Sequence, residues 1–179
     1  MEQDNSSDQI LVLKCQRHDC SAFRELVKIW EPRLYYYVRR RVGDRHFVWD
    51  ILQETWLAVF RDVGKLQDVR AFPAWLYRIT HNKTVDWLRK ENKYVQMTDM
   101  GMTNYCENNI AIPTVGEHAE LVHELLGKLD LAHREVLTLY FLEGFSVKEI
   151  AQIIGVPEGT VKSRLYYAKS ILRGGINDA

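Results

Sequence analysis

Ser146-Val147-Lys148-Glu149-Ile150-Ala151-Gln152-Ile153-Ile154-Gly155-Val156-Pro157-Glu158-Gly159-Thr160-Val161-Lys162-Ser163-Arg164-Leu165-Tyr166-Tyr167-Ala168-Lys169-Ser170-Ile171-Leu172 is the stretch that decides the fold. It reads as two helices joined by a tight turn. A serine hydroxyl accepts a backbone N–H at a helix start and a glutamate three residues on returns the bond, so Ser146 and Glu149 predict a capping box. Val147, Ile150, Ala151 and Ile154 then share one apolar face. Gly155 tolerates the left-handed backbone that stops a helix. Pro157 fits the first turn of the next one, where a missing N–H costs nothing. Ala151 is small where two helices approach, and Val161 packs back from the second. The result is a helix-turn-helix whose second helix carries Thr160, Lys162, Ser163, Arg164 and Lys169. An ordinary helical hairpin with a solvated basic face shares this spacing. The small first helix, the glycine turn and the cationic second helix together favour DNA reading.

Composition bounds the rest. A chain of 179 residues is one domain or two small ones, and 46% apolar content suffices for packed cores. Lys and Arg balance Asp and Glu at 24 each, so any nucleic-acid binding comes from local patches and not from a basic coat. Cys15, Cys20 and Cys106 have no histidine pair at ligand spacing, so we expect free thiols in a reducing compartment and no metal site. Met1-Glu2-Gln3-Asp4-Asn5 is polar and acidic, unlike a signal peptide, and no apolar run reaches membrane-spanning length. A cytoplasmic protein without membrane insertion is expected.

Upstream of the hairpin every patterned segment is helical. Residues 1–8 read as frayed, and 9–17 as a short helix with Ile10, Leu11, Val12 and Leu13 on its apolar side. Ser21 starts a long helix that runs to about Arg41, with Phe23, Leu26, Val27, Trp30, Leu34 and Val38 on a buried face and Pro32 as a possible kink. Arg39, Arg40 and Arg41 suit the negative end of its dipole. The next helix spans Arg45 to Asp62, with Val48, Leu52, Trp56, Val59 and Phe60 inward. Asp50, Gln53, Glu54 and Leu57 lie on another face. That face is either solvated or a docking surface for a basic, partly apolar partner, and periodicity alone weighs the two evenly.

Residues 63–70 form a polar loop. A helix over Ala71–Lys93 follows, with Phe72, Leu76 and Ile79 inward. Arg78, His81, Asn82 and Arg89 share a face, with Lys83, Lys90 and Lys93 beside it and Trp75, Tyr77 and Trp87 as rings. Cations hold phosphates while rings and amides meet unstacked bases, which suits single-stranded nucleic acid. The rings could equally be core. Residues 94–117 lose periodicity and read as a linker. No Lys or Arg occurs between Lys93 and Lys128 while five carboxylates do, so the tether is acidic. Helices over His118–Leu129 and Leu131–Leu142, the latter capped by Asp130 with Val136, Leu139 and Tyr140 inward and ended by Gly144, lead into the hairpin. The fold class is all-α: two small helical domains joined by a flexible acidic linker.

Enzyme signatures are missing. There is no glycine-rich phosphate loop, nucleophile elbow or histidine pair at metal spacing, and the six histidines are scattered. We expect a binding protein without catalytic residues, metal or cofactor.

Three stretches of the first part of the chain, together with its C-terminal part, resemble the extracytoplasmic-function group of bacterial sigma-70 factors over about residues 9–172. Ala22-Phe23-Arg24-Glu25-Leu26 is similar to the opening of region 2. Asp50-Ile51-Leu52-Gln53-Glu54-Thr55-Trp56 resembles the segment that docks on the clamp helices of the polymerase β′ subunit. Ala74-Trp75-Leu76-Tyr77-Arg78-Ile79-Thr80-His81-Asn82, with Asp86-Trp87-Leu88-Arg89-Lys90, resembles the segment that reads and opens the −10 element. Arg134-Glu135-Val136, Glu143-Gly144-Phe145-Ser146 and Gly159-Thr160-Val161-Lys162-Ser163-Arg164 resemble region 4.

The resemblance implies region 2 at 9–93, a linker at 94–117 and region 4 at 118–173. It implies that Asp50, Gln53, Glu54 and Leu57 bind core polymerase. It implies that Trp75, Arg78, His81, Asn82, Lys83, Arg89 and Lys90 meet −10 DNA, with the loop at 63–72 near its flipped bases. Glu158, Thr160, Lys162, Ser163, Arg164, Tyr166 and Tyr167 would meet the −35 element. The implied partners are core polymerase (β′ clamp helices and β flap), promoter DNA and an anti-sigma factor. The chain departs from the family at Asp130, where proline is common, at Tyr167, where a basic residue is common, and at Thr80-His81, where small apolar residues are usual. A stand-alone helix-turn-helix regulator is the rival reading; it leaves the basic, aromatic helix at 71–93 unexplained.

Overall fold

A computed structural model of the chain describes residues 5–42, 45–97 and 129–177, and all regular elements among them are helical. The chain divides into two compact units, Met1–Gly101 and Met102–Ala179.

The first unit holds α1 (Asn5–Gln16), α2 (Cys20–Val42), α3 (Arg45–Asp62) and α4 (Phe72–Met97). α1 starts at Asn5, inside the stretch expected to fray. It buries Leu11, Val12 and Cys15, whereas Ile10 and Leu13 stay exposed. It ends in a tight turn: His18 takes a positive φ of 65°, and its N–H donates to the Cys15 carbonyl (2.9 Å). The next helix is capped by Asp19, two residues before the expected start. Its Oδ1 accepts from the Ser21 hydroxyl (2.6 Å) and from the N–H groups of Ala22 (3.2 Å) and Ser21 (2.8 Å), which together hold the carboxyl below its usual range.

The core of this unit is a helical bundle around α2. Leu26, Trp30, Leu34 and Val38 of α2 meet Val48, Ile51, Leu52 and Val59 of α3 and Phe72, Leu76 and Tyr77 of α4, all buried. Each such side chain contributes about 1.5–3 kcal/mol relative to exposure. Edge-on ring contacts of Trp30 with Phe72 (6.1 Å) and Tyr77 (6.4 Å) join α2 to α4. Pro32 lies within α2 on the exposed side. Three buried threonines allow close helix approach because each hydroxyl donates to the carbonyl four residues back: Thr55 to Ile51 (2.8 Å), Thr80 to Leu76 (2.9 Å) and Thr84 to Thr80 (2.8 Å). This explains how Thr80 serves where small apolar residues are usual. Phe60 corrects one expectation: it is 56% exposed and rests edge-on against Phe23 (5.2 Å), beyond the rim of the core.

Between α3 and α4 the polar loop contains two short 3-10 turns, Val63–Lys65 and Val69–Ala71. α4 then continues through Tyr94–Met97, where the linker was expected to begin. The rest of the linker and nearly all of the helix expected at 118–129 lie outside the described residues.

The second unit comprises α5 (Leu131–Leu137), a π-helical turn (Thr138–Leu142), α6 (Val147–Ile154) and α7 (Glu158–Asn177). The Asp130 side chain accepts from the His133 N–H (2.8 Å) as the cap of α5. The expected continuous helix to Leu142 widens instead, with the Glu143 N–H reaching the Thr138 carbonyl five residues back (3.2 Å). That widening turns Tyr140 outward, contrary to its expected inward position, together with Phe141 and Leu142. Ser146 and Glu149 form the capping box, and Gly155 takes a φ of +69° at the end of α6. Ile150, Ala151, Ile153 and Ile154 of α6 and Val161, Leu165 and Ala168 of α7 are buried, giving the helix-turn-helix its core.

Candidate nucleic-acid interface

The exposed side of α7 follows from its buried side. With Val161, Leu165 and Ala168 inward, Glu158, Lys162, Ser163, Tyr166 and Tyr167 are exposed and Thr160 and Arg164 half-buried. The second helix of the motif therefore presents hydroxyls, cations and two phenol rings on a continuous stripe. Ser163 donates its hydroxyl to the Thr160 carbonyl (3.0 Å), so its oxygen remains able to accept. Tyr166 and Tyr167 touch edge-on (5.8 Å), and Tyr167 also meets the ring of His133 (6.4 Å). Lys169 leaves the stripe: its Nζ sits over Tyr140 (5.2 Å) and Phe141 (5.1 Å) in cation–π contacts.

On α4 the buried side is Leu76, Tyr77, Thr80 and Thr84, leaving Arg78, Asn82, Arg89 and Lys90 exposed and Trp75 half-buried. Tyr77 is removed from the set of candidate stacking rings, because α2 covers it completely. Trp75 lies 6.1 Å from Phe72, near the start of α4, and Trp87, at its middle, 4.7 Å from Phe47, so both indoles pack on neighbouring rings and stay half-buried.

His81 and Lys83 sit on the flanks of this stripe. His81 faces α2, where Arg41 donates an Nη1 hydrogen to its Nδ1 (3.1 Å) and the Tyr37 hydroxyl lies 3.2 Å from the same nitrogen. Burial, and then the Arg41 charge, push the imidazole from 6.5 down to about 4, so it is neutral at pH 7 and adds no cation toward phosphate. Burial likewise raises the Tyr37 phenol above its ordinary value. Lys83 faces α3, where it donates to Glu54 Oε2 (3.0 Å).

The exposed face of α3, whose margin Glu54 forms, carries Asp50, Gln53, Glu54 and Leu57, all exposed, with Leu57 at 64%. An apolar side chain that open to water among two carboxylates and an amide fits a basic, partly apolar partner. Exposed Trp49 and Phe60 extend the apolar part.

Sequence reasoning missed the contacts that bind these surfaces to the rest of the unit. Lys83 and Glu54 are 29 residues apart, and His81 and Arg41 are 40. Gln16, which donates to two loop carbonyls, is 47 and 50 residues from them. No local window could have paired them. Among the described residues, no group of three or more His, Cys, Asp or Glu is placed to hold a metal. Burial raises the Cys15 thiol to about 11, a poor nucleophile at neutral pH.

Comparison with known proteins adds family information to this geometry. The sequence pattern of sigma-70 region 2 matches residues 26–94, and that of sigma-70 region 4 matches 119–172. The RNA polymerase sigma-H factor of Pseudomonas aeruginosa is 30% identical over 92% of this chain and 91% of its own. The ECF RNA polymerase sigma factor SigW of Bacillus subtilis is 29% identical over 93% and 95%. Among solved structures, CnrH in complex with the cytosolic domain of CnrY superposes with a TM-score of 0.66 at 25% identity, covering 96% of this chain and 98% of that one. RpoE of Bartonella quintana, solved with the anti-sigma factor NepR, shares the fold with a TM-score of 0.67 at 21% identity over 87% and 96%.

Proposed function

The chain belongs to the extracytoplasmic-function group of the sigma-70 family, and on that premise we propose how its two surfaces divide the work of an alternative sigma factor. The observation that carries this is the presence of both sigma regions, in order, on one chain, each spanning one of the two helical units. A stand-alone regulator would account for the second unit alone. Sigma factors are transcription initiation factors, a family not known for enzymes; the polymerase performs the covalent chemistry.

Asp50, Gln53, Glu54 and Leu57 of α3 dock on the β′ clamp helices, where carboxylates meet cations and Leu57 loses its water. Arg78, Asn82, Arg89 and Lys90 of α4 hold the non-template strand of the −10 element, with Trp75 and the loop before it near the flipped bases. The Asn82 amide can donate to and accept from a base edge once that base leaves the stack. Melting follows because a protein that prefers the open strand shifts the duplex equilibrium by that preference. Lys83 contributes to phosphate binding from the flank, and His81 acts through Arg41 and Tyr37. On α7, Lys162 and Arg164 meet guanine edges or phosphates, and Thr160, Ser163 and Tyr166 lie beside them in the major groove with Glu158 at the helix start. Tyr167, packed on His133, marks where −35 recognition differs from relatives with a basic residue there. The unit at 118–173 also engages the β flap, and an anti-sigma factor holds the chain inactive, as the complexes of CnrH and RpoE suggest by analogy. A cytoplasmic location fits these partners, and no described helix is long and apolar enough to cross a membrane.

Run-off transcription with purified core polymerase tests the assignment. A transcript from a selected promoter that appears only when the chain is added supports it. Tight duplex binding by the free chain, with no transcript under any promoter, favours the regulator. Asp50→Lys with Glu54→Lys should abolish co-purification with core polymerase; unchanged co-purification returns that face to solvent.

A further inference from the structure

The loop between α3 and α4 is ordered without a core of its own. Past Val63, no residue up to Ala71 is buried; Leu66 and Val69 are half-buried and the others exposed. Polar ties hold it instead. Asp68 caps the second 3-10 turn through the Arg70 N–H (3.0 Å) and also receives the Arg70 guanidinium (2.9 and 3.1 Å). At its start, Arg61 and Lys65 both donate to Asp62, which lowers that carboxyl to about 2. These bonds are local and fix turns. One tie comes from elsewhere: Gln16, the last residue of α1, donates its Nε2 hydrogens to the carbonyls of Val63 (3.1 Å) and Leu66 (2.7 Å). An amide has two N–H donors, and this geometry uses both. The loop backbone is therefore gripped from inside, while its outer edge, with Gln67 and Arg70, faces solvent one helical turn before Trp75.

We propose that Gln16 is a positioning residue: from α1 it holds the 63–71 loop in the shape that discriminates an unstacked DNA base beside α4. The proposal rests on the assignment of the α4 face to single-stranded −10 DNA. A base is discriminated only by groups already fixed when it arrives, because a loop that must order on binding spends the difference between right and wrong bases on its own entropy. Gln16 touches no DNA; it acts through two carbonyls.

The test uses the full chain bound to core polymerase and a single-stranded oligonucleotide pool with six randomised positions, sequenced after capture. Wild type should enrich particular bases at one or two positions. Gln16→Met, which keeps side-chain length and removes both donors, should cut that enrichment by about two- to tenfold, the scale of one lost hydrogen bond. Its affinity for an unselected homopolymer should stay at the wild-type level. Gln16→Lys, which restores donors, should recover the enrichment. Thermal unfolding accompanies each variant, because a merely structural role would lower the midpoint and leave the base preference intact. A wild-type preference that Gln16→Met retains overturns the proposal alone, as does failure of Gln16→Lys to recover it. A wild-type chain with no base preference overturns the α4 assignment as well.

Discussion

The two helices assigned to DNA keep their polar side chains in different states. On α7, Lys162 and Arg164 enter no ion pair among the described residues, and the neighbouring hydroxyl contact, Ser163 to Thr160, stays within one turn. On α4, the exposed cations are flanked by groups already committed to other helices: Lys83 to Glu54 of α3, and His81 to Arg41 and Tyr37 of α2. The proposed −35 surface is thus built locally, and its residues should be separable. The proposed −10 surface keeps its exposed members, Arg78 and Asn82 among them, free to act on DNA alone, but its flanking and buried members are tied into the bundle that also presents the proposed polymerase-docking face, so changes to those should reach both activities.

The harshest way to break this contrast is to remove a buried member of the α4 bundle. Tyr77 is fully buried against Trp30 and Tyr37, and Tyr77→Ala should cost about 3–5 kcal/mol of stability in urea unfolding. Polymerase and −10 binding should fall together. Arg78→Ala, one residue on, should change stability by less than about 0.5 kcal/mol while weakening DNA binding.

Acid probes the flank. The unfolded chain protonates His81 near its ordinary 6.5, whereas the folded chain holds it neutral down to about 4. Between those values unfolding takes up a proton, so this contribution to stability is present above 6.5 and lost as pH falls toward 4. His81→Gln should flatten the dependence of the unfolding midpoint over that window; an unchanged slope would mean His81 is not held neutral.

On the other unit, Ser146→Ala removes one half of the capping box and should cost about 1 kcal/mol. The loss should appear in −35 duplex binding and leave oligonucleotide binding by α4 untouched. The smallest expected effect is the Lys83–Glu54 pair, which is partly exposed. A double-mutant cycle with Lys83→Met and Glu54→Gln should return a coupling of about 0.2–1 kcal/mol. A coupling of zero would free the two surfaces from each other.

The same contrast explains what could be read from the chain unaided. The helix-turn-helix was legible in detail because its signals are local: Ser146, Glu149 and Gly155 act within a few residues and do what their chemistry predicts, while Pro157 stands one residue before α7 and not in its first turn, its carbonyl accepting from the Val161 N–H (3.2 Å). The α4 stripe of Arg78, Asn82 and Arg89 was legible from period alone. Tyr77 and His81 were not, since their surroundings are set by α2 residues about 40 positions away. The π-turn at Thr138–Leu142 breaks the regular helical period that places Tyr140 in the core, and Tyr140 meets Lys169 outside it. Asp19, not Ser21, starts α2: its Oδ1 takes the N–H groups of Ser21 and Ala22 and the Ser21 hydroxyl, so Ser21 is a donor to the cap.

The central claim is that Asn82 and its neighbours act on opened DNA while a separate surface holds the polymerase. Its most direct test is permanganate footprinting of −10 thymines on a promoter bound by core polymerase with either wild-type chain or Asn82→Ala. The account predicts equal co-purification with polymerase, protected −35 DNA in both, and a marked loss of −10 thymine reactivity with Asn82→Ala. Equal −10 reactivity, or loss of polymerase binding in the variant, would contradict it.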